Sequence, residues 1–139
     1  MVSERLRARL KALLTFKDTP HRLGLAFGLG VMLGILPGTG ALAAAACATF
    51  FRLNLPLAVA GTFLMNPFTM VFVYGGSYAL GRWLLGETAA VPWLGARIVL
   101  RTLVGNVLLA VGFGVVGYLV VVGLVTAGRW RTRSRSPKE

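Results

Sequence analysis

The sequence predicts an all-α, multi-span helical membrane protein with two proline-interrupted helical hairpins, broken or re-entrant, and a C-terminal transmembrane segment. Three observations predict it. Of 139 residues, 56% are hydrophobic and 14% charged, whereas roughly a quarter of the residues in a soluble domain carry charge. Asp, Glu, Lys, Arg and His are all absent from residues 23–51, 53–81 and 102–128, and each run exceeds the roughly 20 residues that cross a bilayer core. The first two runs are interrupted near their middles, at Pro37 and Pro67, where a helix loses a backbone donor.

The net charge of +11 is concentrated toward the two ends of the chain. Basic termini are also the footprint of phosphate-backbone binding, but Lys and Arg flanking apolar spans are the usual positive-inside pattern. Nucleic acid is therefore not an expected partner; membrane lipids with anionic headgroups are. Cys47 is single, which excludes an internal disulfide and a Cys-based metal site. His21 and the carboxylates Glu4, Asp18, Glu87 and Glu139 have no metal-site or acid–base spacing. No catalytic residue, metal or cofactor is expected, and the chain does not read as an enzyme. The first apolar run starts after a long basic segment and outlasts a signal peptide, so a retained N-terminus is expected.

Residues 1–17 form a basic amphipathic helix in this reading, with Leu6, Leu10, Leu13 and Leu14 on one face. It lies on the membrane surface or docks on the rest of the protein; the stripe serves both. The membrane domain covers 18–128. Asp18 or Thr19 can cap its first helix and Pro20 suits the first turn. Gly24, Gly28, Gly30 and Gly34 recur at four-residue spacings that admit a close neighbouring backbone, so they are read as packing positions.

Pro37, Gly38, Thr39 and Gly40 interrupt that helix, and an alanine-rich half-helix follows to Phe51. The second run repeats the plan. A shift of 30 positions aligns Arg22 with Arg52, Pro37 with Pro67, Thr39 with Thr69 and Arg52 with Arg82, giving repeat-like units 23–52 and 53–82. Interrupted helices expose backbone groups that lipid cannot satisfy. Thr39, Asn66 and Thr69 either line a polar cavity or repair the free backbone beside each proline. Residues 83–101 read as a loop with an amphipathic piece, Trp83 and Trp93 suiting the interface. Arg97 and Arg101 share a face there, as anchors or as cavity-facing groups. The last span is 102–128, and 129–139 reads as a basic disordered tail.

The chain resembles the domain of unknown function 2062 family of prokaryotic membrane proteins over roughly residues 17–128. The residues that carry the likeness are Asp18-Thr19-Pro20-His21-Arg22, Gly28-x-Gly30, Gly34-x-x-Pro37, Arg52-x-Asn54-x-Pro56, Asn66-Pro67-x-Thr69 and Tyr78-x-x-Gly81. Where members of the family often carry a polar residue after the first proline, this chain has Gly38. The resemblance implies a multi-span protein of the prokaryotic cytoplasmic membrane. In plan it is also similar to DedA-type proteins, whose re-entrant hairpins are linked with carrying lipid phosphates.

Two functions follow as expectations. One is a small transporter or lipid-handling protein, as a homo-oligomer, in which the breaks meet near mid-membrane and Arg22, Arg52 and Arg82 attract an anionic or phosphate-bearing substrate. The other is a non-transporting scaffold or accessory subunit whose glycine-lined helices bind another membrane protein. Basic termini place both ends in the cytoplasm, which requires an even number of crossings.

Overall fold

The computed structural model describes residues 18–38, 40–86 and 93–133; the basic helix expected at 1–17 and Thr39 lie outside the described residues. Regular structure among the described residues is all helical: α1 Pro20–Ile35, α2 Gly40–Phe50, α3 Leu55–Thr62, α4 Pro67–Leu85 and α5 Leu94–Arg133.

Thr19 caps α1, its hydroxyl accepting the Arg22 N–H at 3.4 Å, with Pro20 in the first turn. The helix stops where Leu36 turns extended, as the residue before a proline prefers. Gly38 (φ 81°) and Gly40 (φ 51°) then take left-handed backbone, which costs a residue with a Cβ about 1–2 kcal/mol. The chain reverses there. Ala48, near the end of α2, comes back beside Ala26 of α1 and is buried with Ala58 of α3. Side chains this small let three backbones approach.

The C-terminus of α2 closes with paired bonds, Leu53 N–H to the Ala48 carbonyl at 2.7 Å and Arg52 N–H to the Thr49 carbonyl at 3.1 Å. Arg52 itself has φ 52°, at the position where this cap usually carries glycine. Leu53 folds onto the alanine cluster. Asn54 caps α3 through its Oδ1, which accepts the Leu57 N–H at 3.1 Å. α3 runs parallel to α1, because Gly30 meets the Ala58 carbonyl and Gly34 meets Thr62 one turn later. At the second break Asn66 and Thr69 form a capping box. α4 leaves at 73° to α3.

α5 is the spine. Gly28 of α1 packs on Gly114, and Gly24 on Tyr118 and Val122, so α1 is antiparallel to its C-terminal half. In the other half Gly81 meets the Arg101 carbonyl and Gly105 the Ser77 carbonyl, so α4 is antiparallel too. α1 and α4 therefore lie end to end along α5. Where they abut, Val31 and Ile35 of α1 and Val73 of α4 are buried with Ala110, and Leu36 and Met65, beside the two breaks, pack on the same cluster.

The link and tail are shorter than the sequence predicts. α4 continues through Leu85, and α5 begins at Leu94 and runs unbroken to Arg133, across positions expected as a loop to 101 and a disordered tail from 129. The chargeless run marks only the apolar part of α5, since arginines favour helix as well as leucines do.

α5 inverts the distribution of a soluble core. Gly105, Asn106, Ala110, Gly114 and Gly117 are buried, while Leu119 and Leu124 are 59% and 67% exposed. Small residues inside and large apolar ones outside are the packing of helices in an apolar solvent. Among the described helices only Leu94–Trp130 is long and apolar enough to cross a membrane alone; Leu55–Thr62 and Pro67–Leu85 reach that standard together, as a bent pair.

Candidate functional site

Because glycines bring α1 onto α5, the flanking side chains cannot close over the contact. A Cβ on Gly28 would stand 2.5 Å from the Gly114 carbonyl, so both positions stay bare and the surface sinks between them. The result is a groove of about 650 Å³ walled by Leu25, Leu29, Met32, Val111 and Val115. Its lining is almost wholly apolar. The exception is one end, where Arg22 and Tyr118 join Phe51 and Leu53.

That end is tied together from three parts of the chain. Arg22 Nη2 donates to the Arg52 carbonyl at 2.7 Å, and Arg22 Nη1 lies 4.0 Å from Asp18 Oδ1. Arg129 Nη2 donates to the Asp18 backbone carbonyl at 2.6 Å. His21 Nδ1 and the Tyr118 hydroxyl are 2.6 Å apart with their rings edge to face. The ion pair is half exposed and contributes little to stability, about 0–1 kcal/mol. Its effect is positional: both contacts of the Arg22 guanidinium are to groups of the chain itself. Arg52 is exposed. Arg22 and Arg129 thus converge on one aspartate beside the groove's cationic end.

Arg82 does not join them. It follows Gly81, which packs on Arg101, and residue 101 is separated from Arg129 by roughly 42 Å of continuous helix. The sequence alignment of Arg22, Arg52 and Arg82 is therefore split, two at one end of the molecule and one at the other. Arg82, Tyr78, Trp83 and Gly86 line a smaller hollow of about 390 Å³ there.

Asn66 and Thr69 are engaged locally. Asn66 Oδ1 accepts the N–H groups of Phe68 and Thr69, each at 2.9 Å. The Asn66 N–H donates to Thr69 Oγ1 at 3.0 Å, and that hydroxyl in turn donates to the Leu64 carbonyl at 2.9 Å. Of the two readings open for these side chains, repair of the broken backbone describes what they do in this geometry. Neither lines the groove. The glycines divide by partner, Gly24 and Gly28 facing α5, Gly30 and Gly34 facing α3.

Sequence reasoning did not single out Tyr118, Arg129, Ser77 or Asn106. Asn106 is 1% exposed, with neither amide atom partnered. Arg101 is 8% exposed; its Nη2 donates to the Gly86 carbonyl at 2.9 Å while Nε is unpartnered. A buried amide without partners costs about 2–7 kcal/mol by transfer measures. The legible signal was a lone amide inside the run 102–128.

A family model described as an uncharacterized protein conserved in bacteria, domain of unknown function 2062, matches residues 3–135, and the chain belongs to that family. No curated protein and no solved structure matches it.

Proposed function

We propose that this member of the bacterial family is an integral protein of the cytoplasmic membrane that handles an anionic, phosphate-bearing lipid, holding an acyl chain in the α1–α5 groove. The groove carries the reading: its walls are apolar along their length and cationic only at one end, the polarity of a phospholipid.

In this reading α1 and α2 form a re-entrant hairpin, α3 and α4 together make one bent crossing, and α5 makes the return. Both chain ends then lie on one side, with Arg22, Arg52 and Arg129; Arg82, Arg97 and Arg101 lie on the other. The two terminal segments add Arg5, Arg7, Arg9, Lys11, Lys17, Arg135 and Lys138 to the first side, which makes it cytoplasmic by the positive-inside rule. An even number of crossings follows without a third break. At 37 residues the apolar part of α5 is roughly 55 Å long against a core of about 30 Å, so it crosses tilted with its ends in the headgroup layers.

Purified protein in vesicles tests the proposal. It should move a labelled phosphate-bearing lipid between leaflets, and Val115→Trp, which fills the groove from a half-exposed wall position, should reduce that movement at least several-fold. Unchanged movement by the Val115→Trp protein would remove the groove from the mechanism.

The scaffold reading draws on α2. Its outer face carries Ala41 and Ala46 beside Leu42, the last 87% exposed, and small outward residues suit another helix better than lipid. A second copy or another membrane protein would pack there. Crosslinking from α2 that yields a stoichiometric partner, with no lipid movement, would favour it.

A further inference from the structure

We infer that Arg52 is the headgroup-selecting residue of the groove, its guanidinium binding the phosphate of an anionic phospholipid whose acyl chain lies between α1 and α5. The inference rests on the lipid reading above and assigns the polar half of that site.

Arg52 occupies the left-handed position of the cap that ends α2, at φ 52°, with the paired bonds of Leu53 to Ala48 and Arg52 to Thr49 around it. Glycine meets that requirement without strain, and it is the usual residue there. The chain uses left-handed glycine at Gly38, Gly40 and Gly86; Arg52 is the exception among the described residues. A long cation held in strained backbone, next in the chain to two groove-lining residues, is the kind of outlier from which a functional assignment starts.

The neighbours sharpen this. Arg22, the arginine that lines the groove, is engaged by Asp18 and by the Arg52 carbonyl. Arg129 donates to the Asp18 carbonyl. Arg52 has no side-chain hydrogen bond or ion pair among the described residues; it is exposed beside the groove and not part of its lining, while its chain neighbours Phe51 and Leu53 line the cationic end. A guanidinium free to form a two-pronged contact suits a phosphate. Arg22 plays the positioning part, since its bond to the Arg52 carbonyl holds the turn against α1.

The substitution Arg52→Gly separates the two roles, because it suits the cap while removing the cation. The full-length protein, in detergent, would be mixed with phosphatidylglycerol or with diacylglycerol of matched chains, which lacks the phosphate, and lipid retention and melting temperature recorded. The wild type should prefer phosphatidylglycerol by roughly tenfold, the scale of one charge-assisted contact. Arg52→Gly should melt no lower, retain diacylglycerol as before and show no preference; Arg52→Lys should keep part of it. An undiminished preference in Arg52→Gly overturns the assignment, as does loss of both lipids at unchanged melting temperature. Inorganic phosphate alone is the control for source, and stabilisation by it equal to that by the lipid overturns the phospholipid assignment. Val115→Trp in the same assay reports on the groove separately: if it leaves both lipids bound, the acyl-chain reading fails whatever Arg52 does.

Discussion

The two proline breaks share their punctuation and differ in their outcome. After α1 the chain turns back on itself, and after α3 it bends by 73° and continues. Gly38 and Gly40 make the difference at the first break, since both adopt left-handed backbone and need no side chain to be accommodated. The second break has no glycine between Met65 and Thr69; Asn66 instead restarts the helix at once through its capping box. Where the backbone is freed by glycine, the direction of the chain is set by packing. Where it is recaught by a side chain, the direction is set locally.

Changes at each break should expose that contrast. The largest effect is expected for Gly38→Ala with Gly40→Ala, at about 2–4 kcal/mol for two left-handed positions. Unfolding titrations in mixed micelles would measure it, and Cys47, half-buried on α2, should become more reactive to a thiol reagent as the hairpin loosens. Next comes Gly30→Val, which drives a side chain into the Ala58 carbonyl and should cost about 1–3 kcal/mol by overpacking. That change attacks the seat of the hairpin on α3 and leaves both breaks intact. Asn66→Ala should cost about 1 kcal/mol, the usual loss of an N-cap, with no change in Cys47 reactivity. A rise in Cys47 reactivity from Asn66→Ala alone would show that the breaks are coupled and sink the contrast. The smallest effect has the opposite sign: Gly75→Ala on α4, where an added Cβ meets nothing within 4 Å, should stabilise by about 0.5–1 kcal/mol.

Much of the helix layout was legible because its signals are local. Thr19-Pro20, Pro37 and Asn66-Pro67 each start or stop a helix through their own backbone chemistry, and the cap bonds lie within five residues, whereas the cap at Asn54 was not singled out. The glycine spacings announced close approach without naming a partner. Spacing does not reveal that Gly28 meets Gly114 while Gly30, two residues on, meets Ala58, because successive helical positions face different neighbours. The grouping of Arg22, Arg52 and Arg82 misled for a related reason. A thirty-residue period aligns residues along the chain, yet one unit closes into a hairpin and the other stays open, so its last arginine is carried to the far end of α5.

The sequence by itself determined the helical class, the positions of both breaks and the strongly apolar character of the runs between the charges. These follow from composition and from bonds between residues a few positions apart. Tertiary structure alone decided which way the chain runs after the first break, which arginines share an end, and that a groove opens between α1 and α5. Those outcomes depend on glycine-to-backbone contacts between different helices, where the fit of two surfaces sets the geometry and neither surface specifies it alone.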